Sequence, residues 1–184
     1  FRFFFVAVGF LLFSIYSKYS IIIKRKNLIE SVLSGVLFHG LYLGGVFYSI
    51  SIGMPTSIAA LIVTLQPILT NILSGPILNE KVTLKQWVGV LLGFFGATMV
   101  LGLDLGSKIP LLGLVATLIA LISITASTIW QKKLSNNLPL SVSNFYQAIG
   151  GCFFHILVVI FFAKPYIAFT KTFFLAMGHQ ILLV

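Results

Sequence analysis

An all-α, polytopic bundle of membrane-spanning helices is the fold class this sequence predicts, and three observations predict it. Of its 184 residues, 59% are hydrophobic and only 8% charged, where a soluble domain carries about a quarter charged residues. Mean hydropathy is +1.10, and the apolar residues fall into long uninterrupted runs rather than the interrupted pattern of a globular core. The 12 Lys and Arg against 3 Asp and Glu lie between those runs, where loop charges of membrane proteins lie. A net charge of +9 placed that way argues for a bilayer and against a nucleic-acid partner. Cys152 stands alone inside an apolar segment and supplies neither a disulfide framework nor a metal cluster.

Dividing the chain at its charges gives six spans, at 3–17, 31–53, 55–78, 87–103, 109–131 and 141–163, and a seventh, incomplete run from Thr172. At about 1.5 Å per residue, the second, third, fifth and sixth can cross a hydrocarbon layer of about 30 Å. The first and fourth are short and rely on snorkelling Arg2 and Lys18 or on interfacial Trp87. The chain starts at Phe1 rather than Met, and its last apolar run is too short to span, so the sequence reads as a fragment.

Local punctuation supports these limits. Gly53-Met54-Pro55-Thr56 reads as a tight turn with a proline placed to open the next helix. Thr83-Leu84-Lys85-Gln86 reads as a capping box. Residues 107–110 and 139–141 open the following spans in a similar way. Alternate loops hold eight Lys and Arg (Lys18, Lys24, Arg25, Lys26, Lys81, Lys85, Lys132, Lys133) against four (Arg2, Lys108, Lys164, Lys171). The richer side is expected in the cytoplasm.

Membrane helices associate by close packing, which small residues four apart allow. Gly40 and Gly44, then Gly89, Gly93 and Gly96, and Ala116 with Ala120, are the candidate packing positions. In the third span Thr56, Ala60, Thr64, Pro67, Asn71 and Ser74 form one small, polar face. Pro67 kinks that span, either beside a cavity or simply to improve packing.

Enzyme chemistry lacks its parts. Glu30, Glu80 and Asp104 all fall near a membrane surface, and no metalloprotease, paired-cysteine, phosphate-loop or serine-nucleophile motif occurs. No catalytic residue, metal site or cofactor is expected. His39, His155 and His179 are scattered and read first as hydrogen-bonded packing residues. Neutral polar and aromatic side chains inside the spans stand out instead. Such groups turn toward partners or a wet cavity rather than lipid. Tyr42, Thr64, Gln66, Asn71 and Trp130 are the first candidates to border a solute path, with Gln66 foremost, and His39 and Gln147 join them. Interhelical hydrogen bonding alone also accounts for them, at about 0.6 kcal/mol each on average.

From Tyr48 to Gly102 the sequence YSISIGMPTSIAALIVTLQPILTNILSGPILNEKVTLKQWVGVLLGFFGATMVLG resembles the central stretch of an EamA-type permease domain of the drug/metabolite transporter superfamily. The matching features are Ser57-Ile58-Ala59-Ala60 after the outer turn, the mid-helix Pro67, Glu80-Lys81 at the cytoplasmic end, Thr83, and the glycine-rich helix of Gly89, Gly93 and Gly96. Arg2-Phe3 with Ala7 and Gly9 resembles the start of the family's second helix. The resemblance implies ten helices in two inverted five-helix repeats. This chain would then cover helices two to eight, with 1–103 as most of the first repeat and 104–184 as the start of the second. It also implies a multi-pass protein of the cytoplasmic membrane that moves a small polar or amphipathic metabolite, amino-acid-like, nucleotide-like or drug, with Glu80 as a structural loop residue. The alternative is a non-transporting helical subunit. The partners expected are the lipid bilayer and a small solute, with a second copy or another helical protein left open.

Overall fold

The computed structural model describes residues 2–101, 109–162 and Gly178. Helices account for most of them, and no strand occurs among the described residues. The first helix, α1, covers Arg2–Tyr16. It stops in a Schellman turn: the Tyr19 N–H donates to the Ser14 carbonyl and the Lys18 N–H to the Ile15 carbonyl, both at 3.0 Å. Lys18 adopts a left-handed φ of 57° there.

The second span is helical over Arg25–Ser51 and has three parts: α2 (Arg25–Gly35), a π-helical stretch (Val36–Tyr42) and α3 (Leu43–Ser51). The sequence places its start at 31. The helix begins earlier because a basic run ends the apolar stretch without ending the helix, Lys and Arg being good helix formers. α3 closes in a second Schellman turn, with Met54 N–H to Ser49 O and Gly53 N–H to Ile50 O, both 3.0 Å. Gly53 holds φ 94°, a conformation that a side chain would strain.

The third span divides further than a kink. α4 (Thr56–Val63) and α5 (Gln66–Leu78) are separated by a turn at Thr64 and Leu65. Pro67 explains the break, since it has no N–H to offer the Val63 carbonyl and its ring favours the first turn of a new helix. The Thr64 hydroxyl donates to the Leu61 carbonyl at 2.7 Å, and Leu65 N–H reaches Ile62 O at 3.1 Å. Pro76 lies inside α5, which ends with Asn79 at a left-handed φ of 55°.

α6 spans Leu84–Leu101, three residues ahead of the expected start, because Thr83 caps it. The Thr83 N–H donates to Gln86 Oε1 at 2.7 Å, and the Gln86 N–H returns to Thr83 Oγ1 at 3.4 Å. α7 (Leu111–Ser135) and α8 (Leu140–Phe162) follow, and α7 runs on through Lys132 and Lys133. Positive charge in a last turn suits the helix dipole. Five stretches, Arg25–Ser51, Thr56–Leu78, Leu84–Leu101, Leu111–Ser135 and Leu140–Phe161, are long and apolar enough to cross a membrane, and α1 is shorter. The seventh run, the ends of the fourth and sixth spans, Asp104 and His179 lie outside the described residues.

The chain forms two compact units, one of Phe1–Val36 with Leu134–Val184 and one of Leu37–Lys133. In the first, α8 packs on both α1 and α2. Two glycines bring α2 and α8 together: a Cβ on Gly35 would overlap the Gln147 backbone, and one on Gly150 would overlap the Val32 carbonyl. The Tyr146 hydroxyl donates to the Ile21 carbonyl at 3.0 Å, tying the segment ahead of α2 to α8. In the second unit α6 lies on α4 and α5, and α3 on α4. A Cβ on Gly45 would stand 3.0 Å from the Ala116 carbonyl and 3.2 Å from the Ala120 methyl, so α3 and α7 meet through small residues.

Candidate solute pathway

Four of the five leading sequence candidates lie on three helical elements of the second unit, and Thr64 lies in the turn between α4 and α5. Gln66 opens α5, directly after the break, and its Nε2 donates to Thr128 Oγ1 of α7 at 3.1 Å. The Thr128 hydroxyl in turn donates to the Ile124 carbonyl at 2.8 Å. Thr70 closes a similar bond onto the Gln66 carbonyl, 2.8 Å. Hydroxyls that bond back to their own helix have a lone pair left to accept with, so Thr128 can hold the Gln66 amide without losing its own donor.

Asn71 has a different setting. Its Nδ2 is buried and has no hydrogen-bond partner, while its backbone carbonyl accepts the Ser74 hydroxyl at 3.1 Å. Gln66 and Asn71 are five residues apart, about 140° around an α-helix at about 100° per residue. Gln66 therefore bonds to α7, and Asn71 projects from another side of α5. Leaving a buried amide donor unpartnered costs about 1–3 kcal/mol.

Tyr42 and His39 fall in the π-helical stretch, both partly buried. A π turn carries more residues than an α turn, so the spacing that would align them on an α-helix does not do so here. Phe38 unites them, its ring centroid 4.9 Å from His39 and 5.9 Å from Tyr42. Trp130 is partly buried on α7, two residues beyond Thr128. Gln147 sits in the first unit, 3% exposed at the α2–α8 crossing, with its Nε2 on Ser143 Oγ at 3.0 Å.

The structural candidates separate as well. Gly40 is buried and Gly44 partly so, whereas a Cβ on Gly89, Gly93 or Gly96 meets nothing within 4 Å. Pro67 is exposed at the start of α5. Glu80, just past α5, forms an ion pair with Lys132 of α7, both side chains roughly half exposed. Thr83 caps α6. Among the described residues no group of three His, Cys, Asp or Glu comes together as a metal site would require.

Sequence reasoning missed Thr128, Phe38, Pro76 and the glycines that make the closest crossings, Gly35 and Gly150. The signal for Thr128 was present. Gly113, Thr117, Ala120, Ser123 and Ser127 recur at three- and four-residue spacing along α7, and all five are buried. That stripe marks the face on which Thr128 borders.

The EamA-like transporter family matches residues 1–102, more than half of the chain. The chain belongs to that family. It is 25% identical over 162 residues to the "Uncharacterized transporter YvbV" of Bacillus subtilis strain 168, covering 82% of this chain and 52% of that relative. It is 28% identical over 152 residues to the "Uncharacterized transporter YyaM" of the same strain, covering 77% and 47%. It is also 30% identical over 94 residues to the "Probable amino-acid metabolite efflux pump" of Salmonella typhimurium strain LT2, covering 50% and 31%. The chain spans about half the length of the first two curated relatives. No solved structure matches it. Family membership and the apolar helices make this EamA-family chain a multi-pass cell-membrane protein.

Proposed function

We propose that this EamA-family protein is a permease that moves a small polar or amphipathic metabolite, amino-acid-like, nucleotide-like or drug, along a path bordered by Asn71, Thr64, Gln66, Tyr42 and Trp130. The observation that carries the reading is the buried Asn71 amide without a protein partner, beside a helix broken at mid-span by Pro67. A discontinuous helix exposes backbone groups where they line a cavity. An amide donor there gains by meeting solute or water. The efflux-pump name of one relative supports an amino-acid-like cargo.

In the same reading 1–103 and 104–184 belong to two inverted repeats. α1 and α8 would be corresponding helices, and their packing supports this. Phe3 stacks on His155, centroids 5.0 Å apart, near the end of α8, whereas Phe13 lies by Leu140 at its start, so the two helices run antiparallel.

The test is transport by cells expressing the complete gene product, with labelled amino acids, nucleosides and a cationic dye as probes. Asn71→Leu and Gln66→Leu each lower the rate for one probe class about tenfold, the loss of one hydrogen bond of about 1.4 kcal/mol, at unchanged amounts of inserted protein. Normal transport by both variants removes these residues from the pathway.

A further inference from the structure

Between α1 and α2 the chain runs through residues 17–24 without helix, and this connection suits neither water nor the hydrocarbon core. Ile22 is 91% exposed, and Tyr16 and Tyr19, ahead of it in the chain, are exposed at 87% and 46%. The backbone N–H groups of residues 20–23 meet no acceptor among the described residues. Hydrocarbon would leave those donors unsatisfied, and water would leave the isoleucine hydrated. The segment is nevertheless held in place. The Tyr146 hydroxyl of α8 donates to the Ile21 carbonyl at 3.0 Å, and the Ser20 hydroxyl to the Ile22 carbonyl at 3.1 Å, all within one compact unit. The depth that serves both side chains and backbone is the headgroup layer. There tyrosine rings find their usual level, apolar side chains reach the acyl boundary, and N–H groups reach phosphate oxygens or water.

Charge decides which headgroup. Lys18 precedes the segment and Lys24, Arg25 and Lys26 follow it, all four exposed and none in an ion pair among the described residues. Glu30, the acid nearest in sequence, stands a turn beyond Lys26 and makes no ion pair among them either. Lys24, Arg25 and Lys26 also open α2, which has no side-chain cap and no acidic residue in its first turn. Cations at this end of a helix add to the positive pole of its dipole instead of opposing it. We propose that residues 18–26 form a binding surface for an anionic phospholipid, with its phosphate on Lys24, Arg25 and Lys26 and its acyl chains against Ile22. A zwitterionic lipid offers the same phosphate but carries its own ammonium, which four cations repel. A free phosphate would answer the charge and leave Ile22 in water.

The test places a bimane fluorophore at Ile22→Cys, with Cys152→Ala, in the purified full chain reconstituted in phosphatidylcholine bilayers. Brominated phosphatidylglycerol, at a low mole fraction, should quench the bimane about tenfold more effectively than brominated phosphatidylcholine, the preference that one or two surface cations supply. High salt should reduce that excess. Replacing Lys24, Arg25 and Lys26 together by glutamine removes it, whereas the charge-retaining combination of Lys24→Arg, Arg25→Lys and Lys26→Arg keeps it. Equal quenching by the two lipids overturns the proposal, as does a triple glutamine variant that retains the preference. If soluble glycerol 3-phosphate abolishes the preference, the surface takes a free phosphate and the lipid assignment is wrong. If aqueous iodide quenches the bimane and neither lipid does, the segment lies outside the headgroup layer and the proposal fails.

Discussion

Gly150 and Gly93 both sit inside long apolar helices, and the space around them separates their roles. A methyl at Gly150 would overlap the Val32 carbonyl, while one at Gly93 meets nothing within 4 Å. Gly150→Ala is therefore expected to destabilise the protein by about 1–3 kcal/mol, the usual cost of forcing atoms into a packed contact. Gly93→Ala should be neutral or stabilising by up to about 1 kcal/mol through helix propensity. Thermal unfolding in detergent checks both, and equal behaviour of the two variants would contradict the crossing described for α2 and α8. The capping pair Thr83 and Gln86 was legible in the sequence, because a capping box is a local arrangement of four residues. Gly35 and Gly150 were not, because which glycine matters depends on what another helix places opposite it. Asn71 was legible as a polar intramembrane residue, but not as one with an unused donor.

Among the helices, the way each one stops is a separate source of stability. α1 ends with Lys18 in the left-handed region, where an L-residue costs about 1–2 kcal/mol and glycine does not. Lys18→Gly should raise stability by about 1 kcal/mol, less whatever the lysine contributes to the helix dipole. Chemical denaturation in mixed micelles would show it as a higher midpoint at unchanged slope, and a lower midpoint would mean that the charge matters more than the backbone. The Glu80–Lys132 ion pair joins the ends of α5 and α7. With both partners this exposed it should contribute only about 0.2–1 kcal/mol. Glu80→Gln should thus cost less than Gly150→Ala, and the loss should shrink at high salt. Most span limits were readable from the spacing of charges, since the bilayer fixes how long an apolar run must be. The π-helical stretch and the two-part third span were not readable that way. Run length does not register how the backbone hydrogen bonds are arranged inside it.

For the molecule as a whole, the basic loop at Lys24–Lys26 is expected in the cytoplasm and the turn at Gly53 outside. Met54 would be the natural reporter for that turn, but it is 2% exposed, and its Cβ stands 3.3 Å from where a Gly113 side chain would begin. Thr56, exposed at the start of α4, is the better position. With Cys152 replaced by alanine, an impermeant thiol reagent added to intact cells should label Thr56→Cys and spare Asn27→Cys, and the reverse pattern would invert the topology. Orientation is a reading the sequence offers because it is a sum over loops, and the labelling pattern decides it. The spatial grouping was not legible. α8 joins α1 and α2 across more than a hundred residues of sequence, while the expected division near 103 concerns the order of repeats along the chain. The open Gly89, Gly93 and Gly96 side of α6 is where a further helix would be sought, by disulfide trapping through Gly93→Cys.

The break ahead of Pro67 also has a consequence in time. Proline withholds an amide hydrogen, the Val63 carbonyl loses its helical donor, and the two halves of the span are not one cooperative ladder. Each can loosen without the other, with the separate local opening free energies that structural segments have. In deuterium exchange, the amides of Thr56–Val63 and those of α5 beyond Pro67 should take up label at distinct rates. An unbroken helix of the same length would exchange from its ends inward. This span would begin from its middle, at the depth where lipid otherwise excludes water.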